Sequence, residues 1–446
     1  MLLAATAGAE ESYCFRLYLK DKGVSETAVA SPEKFLSPEA MERRTKRNVE
    51  VSLSDVPIAS SYIEQIASAG VRIVTQSKWM ASVVVECEDS VAAGRLAALP
   101  IVDSLLCVWK GADRLTATAC MDDTSRLAPS CSKLTEEYGY GAAQLNMLNG
   151  ARLHEAGRRG QGMRVAVVDA GFLHADRVTA FASLRLLGTH NVVFPGHDVF
   201  CEDDHGTKVL SCLAANLPGV MVGAAPEASY LLIKSEDTRT EYPIEEDYWA
   251  AAVEYADSAG VDILSTSLGY YLFDMEEMRY TAADLDGQTA FITRVAQTAA
   301  DKGMLIFCSA GNEGGHDWEK ITFPSDARDI LTVGSIDDDE QLSSFSSKGF
   351  TADYRVKPDV VALGSGVCVI DATGNMEYTN GTSFSTPVVA GLSACLWQAL
   401  PWLDNREVID LIRRTASQSE RPDAERGYGI PNIYKAYTSE LNGSVQ

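Results

Sequence analysis

Between Met163 and Leu403 the chain repeats one pattern that few folds can accommodate. Short, almost continuously apolar runs alternate with longer segments of helical period. The runs are "MRVAVVDAG", "SYLLIKSE", "VDILSTSLG", "MLIFCSAGNEG", "ILTVGSID" and "VCVID". The segments among them include "GTKVLSCLAAN", "IEEDYWAAAVEYADSAG", "GQTAFITRVAQTAADKG" and "PVVAGLSACLWQALP". A strand that is apolar along its whole length is covered on both faces, as in a parallel sheet flanked by helices. The pattern predicts a doubly wound α/β domain over residues 144–440, a mostly parallel sheet with helices on both faces. In such sheets ligands and catalytic groups gather beyond the carboxyl ends of the strands.

The first part of the chain has another texture. Over residues 12–110, "YCFRLYLKD" alternates like a strand, "SPEAMERRTKR" reads as a helix capped by Ser37, and "ASSYIEQIASAG" as a helix ending at Gly70. "VRIVTQSKWMASVVVECED" holds two strands, "SVAAGRLAALP" a helix stopped by Pro100, and "IVDSLLCVWK" a last strand. This mixture predicts a small α+β unit. Residues 111–143 are rich in Thr, Ser, Ala and Asp without a clear period, and read as an exposed linker. Residues 1–11 read as the remnant of a secretory signal, with small residues at Ala7, Gly8 and Ala9.

No apolar run reaches the length of a membrane-spanning helix. The net charge of -24 repels phosphate and excludes nucleic acid as a natural partner. The ten cysteines include no CxxC pair, which leaves zinc and thioredoxin chemistry without support. Cys120 and Cys131 flank a polar stretch and are the expected disulfide. Cys308 and Cys395 sit in apolar runs and are expected to be buried thiols.

Three polar residues stand at edges of the predicted elements. Asp169 closes the strand "VAVVDAG", His205 in "DDHGTKV" precedes a helix, and Ser383 in "NGTSFSTP" precedes another. A serine hydroxyl becomes a nucleophile when a base removes its proton. A histidine is that base near neutral pH, and a buried carboxylate holds its tautomer. Each residue alone reads equally well as a cap or strand end.

Together, in this order, the motifs "VAVVDAG", "DDHGTKV", "STSLG", "SAGNEG" and "GTSFSTP" resemble those of the subtilisin-like serine proteases, the subtilases. The resemblance implies a secreted or periplasmic serine endopeptidase. Asp169 would orient His205, and His205 would activate Ser383 as nucleophile. Asn312 would donate to the oxyanion. Ser267, Leu268 and Gly269 would line the pocket for the residue before the cleaved bond. The expected partners are peptide or protein substrates and the protein's own N-terminal unit. Residues 12–110 resemble a subtilase pro-domain, and "FRLYLKDKG", "SPEAMERR" and "SKWMASVVVE" resemble exported members from Bacteroidetes-type bacteria; cleavage is expected between residues 111 and 145. The resemblance implies no cofactor for catalysis. Structural Ca²⁺ is common in the family, and Asp284 and Asp286 are its candidate ligands here. The competing reading is a catalytically silent binding module on the same fold.

The chain departs from the family's usual pattern in four places: Ala170 after the aspartate, Lys208 where a second histidine is common, and Phe384 and Ser385 beside the serine. The acidic block "SEDTRTEYPIEEDYW" reads as a solvated helix face, with recognition of basic substrate side chains as its alternative.

Overall fold

The structure, a computed structural model, describes residues 12–88, 91–111, 117–120 and 124–443. The signal remnant expected at residues 1–11 lies outside them. The N-terminal unit is a four-stranded antiparallel sheet in the order β2-β3-β1-β4, built from β1 (Ser12–Leu19), β2 (Arg72–Ser77), β3 (Ser82–Cys87) and β4 (Val102–Gly111). Its helices are α1 (Pro38–Lys46), α2 (Ser60–Ala67) and α3 (Val91–Ala97). Ser37 caps α1, its Oγ accepting from Ala40 N at 3.1 Å.

The two-residue period of β1 sends its side chains to two different cores. Phe15, Leu17 and Leu19 pack with Ile66, Val83, Val85 and Leu96 inside the unit. Cys14, with Val84 and Val108, faces the other way and joins Trp249 and Val253 of the second unit. The small sheet is therefore covered on both faces, one of them by the neighbouring unit.

The second unit opens with α4 (Ala142–Met147) and α5 (Gly150–Glu155), then β5 (Arg164–Asp169) and β6 (Arg185–Asn191). There follow α6 (His205–Ala214), the short hairpin β7 (Asn216–Leu217) and β8 (Met221–Val222), and β9 (Ser229–Lys234). Next come α7 (Ile244–Ser258), β10 (Ile263–Thr266), α8 (Phe291–Asp301), β11 (Leu305–Ser309), β12 (Leu331–Ile336) and β13 (Val360–Leu363). The chain ends with β14 (Val367–Ile370), β15 (Met376–Thr379), α9 (Thr382–Ala399), α10 (Asn405–Thr415) and α11 (Ile433–Gly443). The main sheet has seven parallel strands in the order β13-β12-β11-β10-β5-β9-β6. "VCVID" is a strand, but it pairs with β15 in a separate antiparallel hairpin.

Alternation along the central strands divides the core in two. Val165, Val167, Ile263 and Phe307 meet α6 and α9 on one face. Ala166, Val168, Leu264 and Ile306 meet α7 and α8 on the other. The next strands after β5 lie on one side of it and β10 on the other, so β5 is the switch point of the sheet. Asp169 is its last residue.

The acidic block is not a solvated face. Glu245, Glu246 and Asp247 are all buried on α7: the N-terminal sheet meets Glu246 and Asp247, and Glu245 turns to the Asp237 backbone. Arg16 of β1, itself buried, grips both oxygens of Asp247 at 2.7 Å, reaches Glu246 at 3.4 Å and stacks on Phe291. Arg44 bridges Asp55 at 2.9 Å and Asp257 at 2.7 Å, and Lys302 reaches Asp55 at 3.0 Å. Glu254 accepts from Ser77 Oγ at 2.5 Å, Trp79 N at 3.1 Å and Lys78 N at 2.9 Å. Removing one partner of a buried ion pair strands the other's charge, at a cost of about 3–5 kcal/mol. Arg16→Ala in the full chain is expected to loosen the N-terminal unit on that scale. The readout is hydrogen exchange, with protection lost across β1–β4; unchanged protection contradicts the docking role.

Candidate active site

Ser383 is the second residue of α9 and not its cap. The N-cap is Gly381, at φ 155° and ψ 146°, a conformation essentially confined to glycine. Ser385 Oγ and Thr386 Oγ1 turn back onto the Thr382 carbonyl at 3.0 and 2.8 Å. The Ser383 hydroxyl does no capping and stands at the positive end of an 18-residue helix. Pro387, four residues on, has no N–H to give the Ser383 carbonyl. Ser267 Oγ, just past β10, donates to that carbonyl instead, at 2.9 Å. Ser383 Oγ in turn donates to the Ser267 carbonyl at 3.3 Å. Ser267 thus secures the start of α9, a role its place in a pocket-lining motif did not suggest.

His205 is the first residue of α6, and its Nδ1 meets Asp169 Oδ1 at 2.7 Å. Gly206 permits the approach: a Cβ there would overlap the Gly171 carbonyl and lie 3.0 Å from Asp169 Cβ. Asp169 is fully buried, and its Oδ1 also accepts from Ala170 N at 2.8 Å. Its Oδ2 has no partner among the described residues, and Ala170 offers no hydroxyl there. Burial pulls the His205 imidazolium down. The charge and hydrogen bond of Asp169, joined by Asp203 and Asp204, outweigh burial and hold the pKa above its ordinary 6.5.

Asn312 lies beyond β11. Its Oδ1 accepts from Thr382 N and Thr382 Oγ1, both at 3.0 Å. A backbone N–H can only donate, so that oxygen faces Thr382 and the amide N–H₂ turns elsewhere. Asn312, His205, Ser383, Ser267, Leu268 and Gly269 line one cleft of about 380 Å³. Asp169 sits behind His205. The seven residues that the resemblance assigns to catalysis and substrate binding therefore converge on one place. One bond is absent: among the described residues, none joins Ser383 Oγ to His205, because the hydroxyl rests on the Ser267 carbonyl.

The departures also have places. Phe384 packs against the His205 ring, centroids 5.7 Å apart. Lys208 pairs with Asp204 at 3.1 Å and Glu377 at 2.9 Å, outside the cleft wall. Asp284 accepts from Thr281, and Asp286 from Gln288 and Thr289. The expected Cys120–Cys131 disulfide does not form. Cys120 is bonded to Cys201, 81 residues on, and Cys131 is a free thiol against the core. Cys308 and Cys395 are buried thiols.

A family model described as the subtilase family matches residues 160–429, which hold Asp169, His205, Asn312 and Ser383. A model of the peptidase S8 propeptide domain of Bacteroidota matches residues 14–121. The chain belongs to the subtilase family. Among curated proteins it is similar to serine protease AprX of Bacillus subtilis, 29% identical over 318 residues, covering 64% of this chain and 66% of that protein. It is also similar to a thermophilic serine proteinase of Bacillus sp. strain AK1, 29% identical with 62% of each chain covered. Subtilisin E of Bacillus subtilis is 30% identical, covering 62% of this chain and 66% of that one. The match thus spans a little under two thirds of the length of each of these three relatives.

Proposed function

We propose that the chain is a serine endopeptidase, made as a zymogen and exported from the cytoplasm. The observation that carries this reading is the Asp169–His205 bond at 2.7 Å, opening onto a cleft that also holds the Ser383 hydroxyl and the Asn312 amide. The mechanism requires the Ser383 hydroxyl to leave the Ser267 carbonyl and turn to His205 Nε2. Catalytic hydrogen bonds are often loose without substrate and tighten with it. The substrate backbone lies extended along Ser267–Gly269 as an added strand.

His205 takes the Ser383 proton as Oγ attacks the scissile carbonyl carbon. The oxyanion receives hydrogen bonds from the Asn312 amide and the Ser383 backbone N–H. His205 then gives its proton to the leaving amine, and an acyl-enzyme on Ser383 remains. Water, deprotonated by His205, attacks the acyl carbon; the bond to Ser383 Oγ breaks, Oγ takes the proton back from His205, and the acid leaves. Throughout, Asp169 stabilises the imidazolium and fixes the tautomer that presents a bare Nε2.

The N-terminal unit holds the zymogen in its unprocessed state, supported by its propeptide match and its buried charged contacts with α7. The Cys120–Cys201 disulfide supports an oxidising compartment, the periplasm or the medium. Among the described residues no helix is long and apolar enough to cross a membrane.

The test is incubation of the full-length precursor with a peptide library, with mass spectrometry of the peptides and of the protein itself. Cut internal peptide bonds and a new N-terminus between residues 111 and 145 are expected. Intact peptides beside an intact precursor contradict the reading and favour the silent module.

His205 works only when neutral, and its pKa lies above 6.5. Acidification charges it, so kcat/KM is expected to fall as the pH drops through a midpoint above 6.5. A profile still flat well below that value contradicts His205 as the base.

A further inference from the structure

After β9 the chain runs along the wall of the cleft that holds His205 and Ser383. Glu236 and Glu241 both line that wall. Glu236 is 9% exposed, and its Oε1 is buried without a hydrogen-bond partner. Glu245, at the start of α7, is 1% exposed; its Oε2 accepts from Asp237 N at 3.2 Å and its Oε1 has no partner. The two cations of this stretch are committed elsewhere. Lys234 Nζ binds the carbonyls of Ala170 and Glu236 and lies 3.5 Å from Glu202. Arg239 forks onto Asp237 at 2.6 and 2.9 Å.

Carboxyl groups buried without a counter-ion are expensive in free energy. Burial, reinforced by Glu241 and Asp169, pushes the Glu236 carboxyl well up. Burial and Asp274 push Glu241 up to about 7. The wall is thus a set of acids that burial holds toward the neutral form, and among the described residues no cation of the empty cleft pairs with them. These carboxyl oxygens do not converge as a metal site requires: among the described residues, the one group of three or more ligand atoms within 4.8 Å of one another is Cys120, Asp198 and Cys201. A guest here has to bring its positive charge on a flexible stem.

We propose that Glu236, backed by Glu241, selects a lysine or arginine side chain of the peptide substrate, lodged in the cleft near the scissile bond. The cation pairs with the Glu236 carboxyl at the cleft wall and balances its ionised form. This selection rests on the protease reading and names its substrate class. Glu236 and Glu241 determine specificity; the bond-breaking groups remain those of the cleft floor.

The experiment uses the full chain after self-processing. Peptides are varied one position at a time around the cut bond, with arginine or lysine set against norleucine or glutamine. At one position the wild-type kcat/KM is expected to favour the basic side chain roughly 10- to 100-fold, the scale of one charge-assisted hydrogen bond. Glu236→Gln is expected to bring that ratio close to one, and Glu241→Gln to lower it partway. The ratio cancels any change in overall activity, and Glu241→Gln carries the test alone if the Glu236 variant does not fold. A wild-type ratio near one at every position overturns the selection alone, as does a ratio kept by both variants. A wild type that cuts nothing and takes no active-site serine label removes the protease reading and this selection with it.

Discussion

Ser383→Ala is expected to abolish peptide hydrolysis and to leave a folded, unprocessed precursor. The loss should be roughly 10⁶-fold in kcat, the scale known from subtilisin itself. The fold should survive because the hydroxyl carries little structure: its one hydrogen bond, to the Ser267 carbonyl, is 3.3 Å long. The contact that secures α9 uses the Ser383 backbone carbonyl, which alanine keeps. Thermal melting should therefore change little while both self-processing and cleavage of added peptides stop. Retention of substantial activity in this variant contradicts the mechanism outright.

Asp169→Asn should be the next most damaging change. The carboxylate does two things in one position. Its Oδ1 fixes the His205 proton on Nδ1, and its charge raises the imidazole pKa. An amide in its place can turn a donor toward Nδ1. The proton then moves to Nε2, which can no longer accept from Ser383. Such a tautomer error lowers kcat by about 10⁴-fold where it has been isolated. Loss of the negative charge has a second, separable signature. Without Asp169 the burial that lowers the imidazolium is less opposed, so the acid limb of kcat/KM should move to lower pH. A variant within tenfold of wild type, or one with an unmoved acid limb, contradicts the assigned role.

The doubly wound core was legible because its strands are apolar along their whole length, and only burial on both faces explains that. Asp169, His205 and Ser383 stand out because each borders such an element, but their roles, and that of Asn312, were legible only through the resemblance of the ordered motifs to those of the subtilases. The rest depends on relations that no local stretch carries. Strand β6 is an edge strand with much of its surface exposed, so it has no apolar run to announce it. Helix α10 signals itself through the Asp404–Glu407 capping box rather than through a chemical motif. The charges on α7 look solvated in a helix considered alone. Glu246 and Asp247 are buried because Arg16, some 230 residues away, arrives with a second sheet. The Cys120–Cys201 pair likewise reflects where the chain passes in space, not how its cysteines are spaced. The part of Ser267 in holding α9 could have been suspected from Pro387, which leaves the carbonyl four residues earlier without its helical donor.

The most direct test of the Asp169–His205–Ser383 arrangement is fluorophosphonate labelling of the self-processed protein, followed by tandem mass spectrometry. A single adduct on Ser383, formed more slowly as acidification protonates His205, is the expected result. Labelling at another residue, or peptide hydrolysis that continues with Ser383 unmodified, contradicts it.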